Sequence, residues 1–185
     1  MRRAIVSVIG DAGVQPGSIA YEAAREAGRL TIDAGLRVMT GGLSGVMEAA
    51  RRGAHESSKY REGDTIGLLP RLDPAAANPW ADIVIATGLD HARNTLVANA
   101  DAVIAVGGGA GTLSEIAFAW MFKRLIVAVR GLGWADRVAD QRIDDRVRCD
   151  VDGDRVYAAD DARQAVSLVV EKLPLYVRRS GGFAG

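Results

Sequence analysis

VGGGAGTLSE, Val106–Glu115, decides how this chain is read. It follows the apolar run Ala102–Val106, places four glycines before Thr112, and then passes into a helical pattern. A buried strand that runs through glycines straight into a helix is the turn of a parallel β-α unit. Glycine serves there because it reaches φ > 0 and lets backbone amides approach a ligand with no Cβ in the way. The same order recurs in VIGDAG (Val8–Gly13) and VMTGGLSG (Val38–Gly45).

Around these loops, seven runs rich in Val and Ile read as strands: Ala4–Ile9, Leu36–Thr40, Asp64–Leu69, Ile83–Ala86, Ala102–Val106, Leu125–Val129 and Arg155–Ala158. Helical patterns fit Ser18–Ala34, Val46–Ser57, Ala92–Ala100, Thr112–Phe122 and Ala159–Lys172, each opening near a residue suited to capping. This alternation predicts an α/β fold, a doubly wound and mostly parallel sheet in a Rossmann-like three-layer sandwich. The pattern is expected to form a single nucleotide-binding domain over residues 1–176, with a flexible tail at 177–185. The charged stretch Asp136–Asp154 reads as a solvated insertion.

The chain has 185 residues, 49% of them apolar, with 23 basic and 23 acidic groups. Such a balance lacks the broad positive field of a general nucleic-acid binder, so any phosphate must be held locally. The apolar run before Asp11 is too short for a signal peptide or a membrane span, which predicts a cytoplasmic protein without a membrane partner. The lone Cys149 excludes an internal disulfide or a Cys cluster, and neither His55 nor His91 has metal-ligand spacing. No metal and no required cofactor are expected.

In an open parallel sheet, ligands sit outside the carboxyl ends of the strands, where helix N-termini can hold an anion through free amides. The expected phosphate or nucleotide site therefore comprises Gly10, Gly41, Gly42, Ser44, Gly45, Gly108, Gly109, Gly111 and Thr112. The spacing matches neither a dinucleotide fingerprint nor a P-loop. Glu115 has two readings. Thr112-Leu-Ser-Glu115 fits a capping box, in which the glutamate merely closes the helix start. Alternatively, with IAFAWMF reading as a helix buried on all sides, a carboxylate at its wet end faces the ligand.

GGGAGTLSE resembles the PGGxGTxxE signature of the LOG family, Rossmann-like proteins once labelled lysine decarboxylases. TGGLSGVMEAA is similar to that family's second glycine loop, GLLP to its short strand ending in proline, and DHARNTL to its arginine segment. The proline before the glycines is Gly107 here, and the family's usual Arg-Lys pair is Arg93-Asn94. The wording of ATGLDHARN and VGGGAGTLSE is most similar to the small LOG-like group that includes molybdenum-cofactor carrier proteins.

The resemblance implies hydrolysis of a nucleoside 5′-monophosphate to free base and ribose 5-phosphate, with Glu115 and Arg93 as catalytic residues. Close behind this leading reading the resemblance implies an alternative, a non-catalytic carrier of molybdenum cofactor or a related nucleotide-like ligand. Either way the partner is a small molecule, and the family resemblance implies a homodimer or higher homo-oligomer. A DNA-handling role, known for a related fold, conflicts with the neutral charge.

Overall fold

A computed structural model describes residues 2–176; the expected tail at 177–185 lies outside them. Seven strands form one sheet: β1 (Ile5–Gly10), β2 (Arg37–Thr40), β3 (Thr65–Leu69), β4 (Ile83–Ala86), β5 (Ala102–Val106), β6 (Leu125–Val129) and β7 (Tyr157–Ala159). Their order is β4-β3-β2-β1-β5-β6-β7, and every neighbouring pair is parallel. The α/β doubly wound, Rossmann-like fold read from the sequence is the fold observed. β5 (AVIAV) and β6 (LIVAV) are buried at every position, as strands covered on both faces must be. β4 lies at the edge and exposes Ile83 and Ile85.

One face of the sheet carries α1 (Ile19–Asp33), α2 (Val46–His55) and α6 (Ala162–Tyr176), which form one apolar core with Val6, Val8, Ile104 and Val127. α1 is capped by Ser18, whose hydroxyl accepts from the Tyr21 amide. α1 and α2 cross closely because a Cβ on Gly28 would meet Ala50 Cα at 2.9 Å, and one on Gly53 would meet Arg25 Cα at 3.0 Å. The other face carries α3 (Asn94–Ala98), α4 (Ala110–Met121) and α5 (Gly133–Val138) over Ile9, Val103 and Ile126. Among the described residues no helix is long and apolar enough to cross a membrane.

Four expectations need correction or refinement. α4 begins at Ala110, with Gly109 as its N-cap and no side-chain cap bond, so Thr112 does not cap and the capping box with Glu115 does not form. A distant element holds this turn: at the start of α5, the amides of Trp134 and Ala135 donate to the carbonyls of Gly108 and Gly107 at 3.0 Å each. The segment expected as one helix over Ala92–Ala100 is a 3-10 turn, Asp90–Arg93, followed by the short α3. α4 is not buried on all sides, since Met121 and Phe122 stand exposed beside each other. Finally, the charged stretch is mostly exposed, as expected of a solvated insertion, but it is pinned at one buried pair. Arg148 makes two 2.7 Å bonds to Asp154, lies 3.9 Å over the Trp120 ring, and donates to the Arg124 carbonyl, all with Arg148 and Asp154 buried.

Candidate functional site

Chain order reverses between β1 and β5, the place where an open α/β sheet forms a crevice. A cavity of about 270 Å³ opens there, between the end of β1, the start of α2, the Asp90–Arg93 turn and the first turns of α4. Gly10, Arg93, Gly109, Gly111, Thr112 and Glu115 from the expected set line it, together with Asp11, Ala12, Leu43, Met47, His91 and Asn94.

The two glycine loops have different tasks. Gly109 and Gly111 are exposed, and a Cβ on either would meet no atom within 4 Å, so the open space lies beside the uncapped start of α4. The first amides of a helix have no partner within it and carry the positive end of its dipole, a seat for an anion. Gly108 shapes that seat from behind: its φ of +89° is left-handed, and a side chain there would press on Thr112, with Cγ2 2.7 Å from the added carbon.

The Gly41–Gly45 loop is mostly support: only Leu43 lines the cavity, while Gly41, Gly42 and Gly45 are buried outside its lining and Ser44 is exposed. Gly41 is the floor under Arg93, since a Cβ would lie 2.6 Å from Nη2. Gly42 packs on Leu69, and Gly45 at φ +64° lies against the Ala12 carbonyl, 2.7 Å from an added Cβ. Ser44 donates its hydroxyl to the Ala12 carbonyl at 2.9 Å, and the Val46 amide donates to the Asp11 carbonyl at 3.0 Å. These bonds tie the β1–α1 loop down beside the cavity.

Arg93 and Glu115, 22 residues apart, meet at the cavity's inner wall: Arg93 Nη1 donates to Glu115 Oε1 at 3.2 Å. Their side chains are 9% and 8% exposed. Burial pushes the Glu115 carboxyl up to about 7, against the opposing pull of Arg93, and burial likewise lowers the Arg93 guanidinium from its ordinary value. Arg93 Nε is buried and has no hydrogen-bond partner, which leaves one charged donor unspent at the wall.

Several supporting residues carried no sequence signal. Arg51, fully buried in α2, donates through Nε to the Met47 carbonyl at 3.2 Å and through Nη2 to the Leu43 carbonyl at 3.1 Å, fixing two wall residues from behind. Asn78 donates to the same Leu43 carbonyl at 2.8 Å. His91 is exposed at the cavity mouth, whereas His55 lies outside the cavity, stacked on Tyr60 with ring centres 4.0 Å apart. The thiol of the half-buried Cys149 is raised to about 11, chiefly by burial, and is no nucleophile at neutral pH.

Comparison with known proteins places this geometry among relatives. The molybdenum cofactor binding protein of Rippkaea orientalis superposes with a TM-score of 0.76 and 29% identity, covering 92% of this chain and 98% of that one. The molybdenum cofactor carrier protein of Chlamydomonas reinhardtii superposes with a TM-score of 0.72 and 30% identity, covering 94% and 99%. An uncharacterized protein of Archaeoglobus fulgidus is 45% identical over 100 residues, which span 54% of this chain and 63% of that relative. The SLOG cluster4 family matches residues 3–165, nearly the whole described fold, and the chain belongs to that family.

Proposed function

We propose that this protein is a cytoplasmic small-molecule carrier that holds a phosphorylated, nucleotide-like ligand, with molybdenum cofactor as its cargo. The anionic end sits on the open amides at the start of α4, around Gly109, Gly111 and Thr112, and Arg93 braces the inner wall. The observation that carries this reading is the closed Arg93–Glu115 pair. One oxygen of the carboxylate that sugar chemistry would need, Oε1, is already bonded to arginine, while Arg93 Nε remains unpartnered beside the cavity. The solved relatives described as binding or carrying molybdenum cofactor support the same reading. A cavity of about 270 Å³ falls just below the usual range of ligand sites, which starts at about 300 Å³, and suits one compact head group. The carrier is proposed to work as a homodimer, joined through the outer side of α3 and α4, where Leu96, Met121 and Phe122 are exposed.

One observation favours a second reading, a nucleoside 5′-monophosphate phosphoribohydrolase. A buried carboxyl raised to about 7 can hold or release a proton near neutral pH, beside the same cavity. In that reaction water adds at the anomeric carbon, the N-glycosidic bond breaks, and its electron pair leaves with the base. Incubation with AMP, followed by chromatography for adenine, separates the two. The carrier releases no base. Release by the parent that drops by on the order of 10² in Glu115→Gln establishes the hydrolase instead.

A further inference from the structure

Asn94 lines the cavity beside Arg93, at the position where the resemblance leads one to expect lysine. Its carboxamide is held by a chain of two bonds: Asn94 Nδ2 to Ser114 Oγ at 2.9 Å, and Ser114 Oγ to the Gly111 carbonyl at 2.6 Å. The direction of this chain is fixed at its far end. A carbonyl oxygen only accepts, so the Ser114 hydroxyl must spend its single proton on Gly111. Ser114 Oγ can then only accept from Asn94, which must present its NH2 and not its oxygen. The amide cannot flip without breaking one of the two bonds.

The other end of the carboxamide is therefore Oδ1, a pure acceptor. It makes no hydrogen bond within the described residues, and it is not among their buried polar atoms that lack a partner. Asn94 is nevertheless buried, 6% exposed, so the surface that remains to its oxygen opens on the cavity it lines. Glu115, the neighbouring acceptor on this wall, gives its Oε1 to Arg93.

We propose that Asn94 is a specificity-determining residue of the site: Ser114 locks its carboxamide so that Oδ1 accepts a hydrogen bond from an N–H or O–H group on the non-phosphate part of the ligand. This rests on the phosphorylated-ligand reading above and adds what the rest of that ligand must carry. An amino group or ring N–H of a pterin or purine satisfies it. A group with acceptors alone would face Oδ1 unpaired and be rejected.

The test compares the whole ligand with its anion. Molybdenum cofactor and AMP are titrated into the parent, Asn94→Leu and Ser114→Ala, with inorganic phosphate as competitor. Removal of one neutral hydrogen bond weakens binding about tenfold. Asn94→Leu is therefore expected to lose about tenfold for whichever ligand the parent binds, and Ser114→Ala several-fold, while the competition constant of inorganic phosphate stays at the parent value in both. A merely structural role would weaken phosphate in step with the ligand, and that result overturns the inference. Ligand affinity unchanged in both variants overturns it equally and leaves the carrier reading standing. A parent that binds neither molybdenum cofactor nor AMP overturns the reading of the site and this inference together. Ser114→Ala keeps the test decisive if Asn94→Leu does not fold.

Discussion

Glu115→Gln gives a direct test of how strongly the fold buries its carboxylate, because the replacement keeps the shape of the side chain and deletes its titration. In the folded chain the carboxyl is raised from its ordinary 4.5 to about 7, with burial as the main cause. That gap corresponds to about 3 kcal/mol. The sign follows from proton binding: between about pH 4.5 and about pH 7 the folded protein holds a proton that the unfolded chain has released. Glu115 thus contributes its full share of stability below about pH 4.5 and loses it as the pH rises through about 7. The glutamine variant has no such loss. For a chain of this size each kcal/mol moves the melting temperature by roughly 2–4 °C. Part of the loss already lies below pH 5, so the melting temperature of the parent minus that of the variant should fall by about 5–10 °C between about pH 5 and about pH 8, measured by calorimetry on ligand-free protein. A difference that stays constant with pH refutes the burial argument. A difference that is flat over this range and rises with pH only below about pH 4.5 shows that Arg93, not burial, controls the carboxyl.

Three further outcomes follow from the site. Gly41→Ala places a methyl 2.6 Å from Arg93 Nη2, so the guanidinium must shift off Glu115, and ligand affinity should drop about tenfold with the fold intact; unchanged affinity in calorimetry would make Gly41 an ordinary turn residue. Gly108→Val strains a left-handed backbone and presses on Thr112, which should lower both stability and binding, whereas Gly109→Ala meets no protein atom and should melt like the parent while binding less ligand. Equal melting temperatures for these two variants would contradict the division of labour between the glycines. The 19.5 kDa chain should scatter light as twice that mass, and Met121→Lys on the exposed side of α4 should reduce it to a single copy; a monomeric parent at micromolar concentration removes the dimer.

Strands without a polar interruption are legible: β5 (Ala102–Val106) and β6 (Leu125–Val129), buried at every position, and the edge strand β4 (Ile83–Ala86), wholly apolar in sequence, begin and end where the sequence reading puts them. The start of α4 was not legible, because amides of Trp134 and Ala135, far along the chain, hold the Gly107 and Gly108 carbonyls. Composition cannot separate a solvated charge from a paired one, so Arg148 and Asp154 looked like their exposed neighbours. The glycines around residue 41 read as a ligand cradle since a floor beneath an arginine requires the same small residue as a floor beneath a phosphate. Arg93 and Glu115 were singled out through the motif resemblance, but their contact across 22 residues needed the fold.

On the carrier reading proposed above, the cavity at the β1–β5 crevice retains an intact phosphorylated ligand. Native mass spectrometry of the protein purified from cells that make molybdenum cofactor, alongside Arg93→Met, measures this most directly. The parent is expected to carry the added mass of intact molybdenum cofactor, and the Arg93→Met protein, folded by its melting curve, little or none. A parent that emerges with no added mass, or an Arg93→Met protein loaded as fully as the parent, contradicts it.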